Sequence, residues 1–199
     1  GLGEECREDE AEDEGPSEAS KKKPQKAMDT RLLLVGKFPK SKYYNDTIAN
    51  LGFDYENIAD FGSAANYYEE LFSLDKEHDS AKEAIYSAAV FRKAMNDSTA
   101  AIKNYQAFIK TFPDDDRITD VKLTIGKILE KHEKWPEVAK LYQAYAADPA
   151  GKTPEQIFYA KFQYGIALEK QGRSATTHWK QLVSDYEKAK ATGMEMGLA

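Results

Sequence analysis

The chain has 199 residues, 41% of them apolar, and a formal charge of −6. That is apolar material for one domain-sized core, and an acidic balance that argues against a nucleic-acid binder. No stretch approaches the ~18 to 20 uninterrupted apolar residues that span a bilayer, and the single cysteine, Cys6, excludes an internal disulfide.

Charge is concentrated at the start. Residues 1–19 hold nine acids (Glu4, Glu5, Glu8, Asp9, Glu10, Glu12, Asp13, Glu14, Glu18) against Arg7, a local charge of −8. Lys21, Lys22, Lys23 and Lys26 return +4, which leaves −2 for residues 27–199. So much charge with so few apolar residues cannot offset the entropy of ordering, so residues 1–26 are expected to be disordered. This segment reads as a solvated linker or as an interaction tail. The chain opens on Gly1 and stops at Ala199 without a terminal signal, so it is expected to be a fragment of a longer protein.

From Ala27 the pattern is helical throughout. A first, unpaired helix runs from Ala27 to about Lys37 and ends at Phe38-Pro39, because proline lacks an amide hydrogen and restricts the residue before it. Four helical pairs follow. The first covers Tyr43 to Ile58 and Gly62 to Leu74. The second covers Ala81 to Met95 and Thr99 to Thr111, with Ser80 and Glu83 at capping-box spacing and a turn at Asn96-Asp97-Ser98. The third covers Arg117 to His132 and Pro136 to Ala146, and the fourth Pro154 to Lys170 and Ser174 to Lys190. Thr153 and Gln156 signal a start there and Gly172 a stop. Residues 191–199 are expected to be a flexible tail. Such short connections make neighbouring helices antiparallel.

One face recurs through these helices. Tyr68, Tyr105, Tyr142 and Trp179 stand 37 residues apart, each preceded four positions earlier by Ala64, Ala101, Val138 or Ala175 and followed three later by Leu71, Phe108, Tyr145 or Leu182. Ala27 and Leu34 continue the series one period upstream. A helical face returning at one fixed period is the signature of stacked helical units.

The first helices add Leu51-Gly52-Tyr55, Ala88-Ala89-Arg92, Ile125-Gly126-Leu129 and, two residues out of register, Tyr164-Gly165-Leu168. With the second-helix small residues and the closing prolines Pro39, Pro113 and Pro149, this pattern resembles the tetratricopeptide repeat (TPR) family over residues 27–190. The period is 37 where the family has 34, with the extra residues in the turns between hairpins. The resemblance implies an all-α, TPR-like right-handed solenoid of one half-repeat and four repeats. It also implies that small residues let helices approach while aromatics fill the space between successive hairpins. The Phe112-Pro113-Asp114 turn is similar in style to TPR proteins of bacterial cell envelopes, which points to a periplasmic or outer-membrane-peripheral setting.

His78, His132 and His178 fall at unrelated phases of the repeat and read as solvated helix-end residues. Asp114-Asp115-Asp116 lacks the glycine and alternation of a calcium loop and is expected to cap the next helix. No Gly-rich phosphate cradle or nucleophile motif occurs, so no cofactor is expected and the chain reads as a non-enzyme.

The resemblance further implies a concave groove lined by the first helix of each pair. Its positions here are Ala49, Phe53 and Asn57, then Lys82, Ile85, Arg92 and Lys93, then Leu123, Lys127 and Lys131, and finally Tyr159, Phe162 and Ile166. Apolar ends and a basic middle suit a protein partner that presents an acidic or amphipathic segment. The alternative assigns Phe53, Ile85, Leu123 and Phe162 to interhelix core and the lysines to a solvated face. The chaperone-tail clamp of some family members is not expected, because its positions hold Ala49, Phe53, Tyr86, Asp120 and Thr124. The resulting expectation is a protein-interaction scaffold in an envelope complex; the alternative is a helical accessory domain of a larger enzyme such as a lytic transglycosylase. Neither nucleic-acid binding nor membrane insertion is expected.

Overall fold

The structure, a computed structural model, describes residues 18–191. Among them lie nine helices and no strand: α1 Glu18–Lys37, α2 Tyr44–Asn57, α3 Phe61–Leu74, α4 Ala81–Ala94, α5 Ser98–Thr111, α6 Ile118–Lys131, α7 Trp135–Ala147, α8 Pro154–Lys170 and α9 Thr176–Ala191. The fold is all-α and repetitive, and α2–α9 lie within two residues of their expected bounds. The start of α1 differs: residues 18–26, expected to be unstructured, are helical. Ala19, Lys21, Lys22, Lys23, Gln25 and Lys26 are good helix formers, which favours the extension, while Pro24 within it lacks the amide for one helical hydrogen bond. Residues 1–17 and 192–199 of the expected terminal segments lie outside the described residues.

The described residues form two compact units, divided between Ala84 and Ile85. In the first, α1 and α3 both pack on α2, burying Met28, Ile48, Leu51, Ala64, Ala65, Tyr68, Leu71 and Phe72. An ion pair from Arg31 of α1 to Asp54 of α2 ties the unpaired helix down. In the second unit the same repeat positions are buried, including Ala101, Tyr105, Phe108, Val138, Tyr142, Tyr145 and Ala175. The face that recurs in the sequence makes the core in the first three repeats; in the fourth, Trp179 and Leu182 are half-buried.

Each hairpin turns in the same way, by a device the sequence pattern did not reveal. Ala59, Asn96, Glu133 and Gly172 all have positive φ, at 61°, 60°, 53° and 70°. In every case the next amide reaches back five residues: Asp60 N to Tyr55 O and Asp97 N to Arg92 O at 2.9 Å, Lys134 N to Leu129 O and Arg173 N to Leu168 O at 3.0 Å. This is the Schellman closure of a helix, which satisfies carbonyls that the helix end would leave orphaned. Asp60 and Asp97 then cap the following helices through Ser63 N and Ala100 N, and Thr153 with Gln156 forms the expected capping box on α8.

The aromatic ladder sits on glycine. A Cβ built on Gly52 would come within 2.4 Å of the Tyr68 ring, one on Gly126 within 2.5 Å of Tyr142 Oη, and one on Gly165 within 2.3 Å of the Trp179 ring. Each ring therefore rests on the bare backbone of the first helix of its own hairpin. This amends the expectation that the aromatics chiefly fill space between hairpins, although Tyr142 also meets Tyr159 of the next hairpin edge-on at 5.9 Å. The two-residue shift assigned to Gly165 is the one that places it under Trp179. The polar tips are held one turn further on: Tyr68 Oη donates to Glu56 at 2.6 Å, Trp179 Nε1 to Glu169 at 2.7 Å, and Tyr142 Oη to Glu130.

The aspartate run works differently from expectation. Arg117, not an aspartate, is the N-cap of α6, and it makes no side-chain capping bond. Asp115 instead accepts from Arg117 N at 3.0 Å, from Nε at 2.8 Å and from Nη2 at 3.0 Å. The guanidinium so fixed lies 4.4 Å from the Tyr86 ring centre and 5.0 Å from that of Phe108, joining the start of α6 to α4 and α5 through cation–π contact.

Two stability changes follow from these contacts. Non-glycine residues pay steric strain at positive φ, so Ala59→Gly and Glu133→Gly are each expected to raise the unfolding free energy by about 0.5–1 kcal/mol in urea titration. Gly126→Ala is expected to lower it by about 1–3 kcal/mol, because Tyr142 is fully buried and has no room to yield; an unchanged transition would mean that the ring is not seated there.

Candidate partner-binding face

The groove positions separate on inspection. Ile85 is 2% exposed and belongs to the core: it lies on the buried side of α4 with Ala88 and Ala89. It is withdrawn as a contact residue, as the core alternative for that position holds. Phe53 and Phe162, at 58% and 49% exposed, are surface residues and not core. Leu123 is half-buried and packs on the cluster around Val138 and Tyr142. Phe53, Asn57 and Lys82 belong to the first unit, where all three are exposed, and Ala49 is half-buried.

The second unit brings several of the remaining positions together. Lys127 and Lys131, one turn apart on α6, are both exposed, as is Lys93 in the last turn of α4; Arg92 is half-buried. Lys131 Nζ donates to Asn96 Oδ1 at 3.1 Å, and Asn96 N in turn donates to the Lys93 carbonyl at 3.0 Å, so the end of α6 meets the turn after α4. Lys127 Nζ lies 6.0 Å from the Tyr159 ring centre, which joins α6 to α8. Tyr159 is half-buried against the Val138–Tyr142 cluster, and Phe162, three residues on, lies 5.5 Å from Trp179. Half-buried Ile166 continues α8. The face thus joins three lysines to two aromatic rings.

The histidines are more engaged than expected. His78 Nε2 lies 3.0 Å from Asp46 Oδ1, and its Nδ1 accepts from Ser80 N. His132 Nε2 is 2.6 Å from Ser98 Oγ. His178 stands in the first turn of α9, as expected of a helix-end residue, but is engaged: its Nε2 lies 2.7 Å from the Lys161 carbonyl and its ring 5.1 Å from Tyr164. They bind three separate pairs of elements and share no site, and among the described residues no group of three His, Cys, Asp or Glu side chains could hold a metal.

Burial governs the titration of the aromatic ladder. It pushes Tyr105, with Tyr86 adding to the effect, and Tyr145, with the charge of Asp120 adding, up to about 12. Tyr68 and Tyr142 are raised further by burial and by their bonds to Glu56 and Glu130. Tyr145 Oη is buried without a hydrogen-bond partner, so desolvation acts on it uncompensated. Under its ring the Lys152 amine sits 5.0 Å from the centre and 3.2 Å from Asp148; hydrogen bonding to that amine holds Asp148 below its usual range.

The comparisons with known proteins bear on the fold. No protein-family model matches the sequence, and no curated protein matches it. Among solved structures, a MamA protein aligns at a TM-score of 0.50 with 18% identity, covering 91% of each chain. A Podosopora anserina putative kinesin light chain with nearly identical TPR-like repeats aligns at 0.50 with 11% identity, covering 86% of this chain and 88% of that one. At such identities the likeness is one of fold, and that fold is the tetratricopeptide repeat.

The sign of the tyrosine shifts sets an alkaline limit. An unfolded tyrosine ionises near 10, so the protonated, folded form carries its full stability below pH ~10 and loses it as pH rises through about 12. Denaturation followed from pH 8 to 12 is therefore expected to show stability falling only above pH ~10, together with the delayed tyrosinate absorbance of buried phenols.

Proposed function

We propose that this chain is a non-enzymatic protein-interaction scaffold that takes an acidic, amphipathic protein segment on the face formed by α4, α6 and α8. The observation that carries the reading is the Lys127 amine over the Tyr159 ring, with exposed Phe162 beyond it and Lys131 and Lys93 on the α4 side. Exposed lysines attract carboxylates over long range, while the rings supply apolar contact whose loss of solvent stabilises the bound state. A helical segment with acidic and apolar residues one turn apart matches both features. The TPR fold supports a surface of this kind, since stacked hairpins repeat one helix side by side. An envelope complex as the setting rests on the Phe112-Pro113-Asp114 turn that closes α5, and fractionation of the native cell tests it.

The binding test uses a synthetic twenty-residue peptide alternating glutamate and leucine at helical spacing. Trp179, next to Phe162, reports on the face when Trp135 is replaced by Phe. Saturable fluorescence change is expected, with affinity at least about tenfold weaker in K93E/K127E/K131E and falling with salt. Equal affinity in that variant, at unchanged helicity, would remove the lysine face from the reading.

A further inference from the structure

The first unit carries a surface of different composition at the joint between α1 and α2. From Thr30 to Asn45 there is no acidic residue, while Arg31, Lys37, Lys40 and Lys42 are all basic. Arg31 is consumed by Asp54; the three lysines are exposed. Around them Leu33, Phe38 and Tyr43 are 52%, 59% and 54% exposed. Large apolar side chains left this open are costly in water and mark a contact surface when they cluster. The turn beneath them is well formed: Phe38 N donates to Leu34 O at 2.8 Å, Ser41 N to Phe38 O at 3.0 Å and Tyr44 N to Ser41 O at 3.0 Å. It surrounds an open cavity of about 560 Å³ lined by Leu34, Lys37, Phe38, Pro39, Lys40 and Ser41.

We propose that this turn is a peripheral docking tip for a bilayer surface rich in anionic lipid. Three features favour lipid over a peptide. Leu33, Phe38 and Tyr43 are themselves more than half exposed, and the cavity that Phe38 borders is open to solvent, as suits insertion into the headgroup–acyl boundary. Lysines alternate with them along the turn, so carbon stems can lie along the apolar layer while amines reach phosphate, and the Lys42 amine already lies 4.8 Å from the Tyr43 ring centre. Tyrosine belongs to the interface, where its ring is apolar and its hydroxyl wet.

Neighbouring acids limit the contact to the tip. Asp46 is engaged by His78 and Asp75 accepts from Asn45, while Glu77 and Asp79 are exposed on the loop that Asp75 begins. The contact is peripheral: no helix among the described residues is long and apolar enough to cross a membrane.

Co-sedimentation of the full chain with vesicles tests this directly. Vesicles of phosphatidylcholine with about one-quarter phosphatidylglycerol are expected to bind the protein, and phosphatidylcholine alone to leave it in the supernatant. K37E/K40E/K42E is expected to weaken binding at least about tenfold, and Phe38→Ala with all lysines kept to weaken it several-fold; circular dichroism checks that both variants stay helical. Binding should also fall between low and physiological salt. Equal binding to uncharged vesicles, wild-type binding by the lysine variant, or no binding to either vesicle would overturn the proposal. So would NMR shifts at residues 33–43 caused by a glutamate-rich peptide but not by the anionic vesicles, which would make the tip a protein site. The peptide assay of the second unit is a separate measurement, so either surface can fail alone.

Discussion

An aromatic ring seated on a glycine of the facing helix is the contact on which the rest of the molecule depends. Tyr68 on Gly52, Tyr142 on Gly126 and Trp179 on Gly165 set how closely the two helices approach in three of the four hairpins. A ring against backbone buries much area while its polar tip still needs a partner, and a glutamate one helical turn beyond each glycine supplies it. The contact also reaches outward. Tyr142 touches Tyr159, and the Tyr159 ring lies under the Lys127 amine, so the geometry of the candidate face is inherited from the ring below it.

The second hairpin departs from this scheme in an informative way. Ala89 stands where the others have glycine, and Lys93 where they have the glutamate. The ring there, Tyr105, is buried beside Tyr86 at 6.3 Å. A cation at the glutamate position places positive charge on the same side as Lys127 and Lys131. Additional restraint comes from Arg117, whose guanidinium is clamped by Asp115 and packed on Tyr86 and Phe108. The residue that departs from the repeat is thus one that the proposed face uses.

The two proposed surfaces draw on one physical pairing, exposed amines with exposed rings, in different settings. On the second unit Tyr159 is anchored on the core cluster and Phe162 packs on Trp179, so the rings present partly covered area, which suits a folded or folding protein segment. At the α1–α2 turn the apolar groups are more than half exposed, which suits a fluid surface that can adapt around them. Both contacts are electrostatic at long range and apolar at short range, so both weaken as salt rises.

Helix positions were legible in the sequence because they depend on local rules. Prolines 39, 113 and 149, the Thr153–Gln156 box and the spacing of small and large residues all act within a few positions, and the fixed period identified a repeat fold. The glutamate partners of the aromatics were also visible in principle, as glycine followed four positions later by acid in three of four repeats. Other features needed the tertiary structure. Ile85 and Phe53 look alike as apolar residues at projected groove positions, yet one is core and the other surface, because burial is decided by helices far along the chain. Asp115 could serve as a cap or as a clamp for Arg117 by sequence; the nearby Tyr86 and Phe108 rings favour the clamp. Positive φ at Ala59 and Glu133, residues with no intrinsic preference for it, arises because the closing hydrogen bonds and the packed helices on either side together outweigh the local strain.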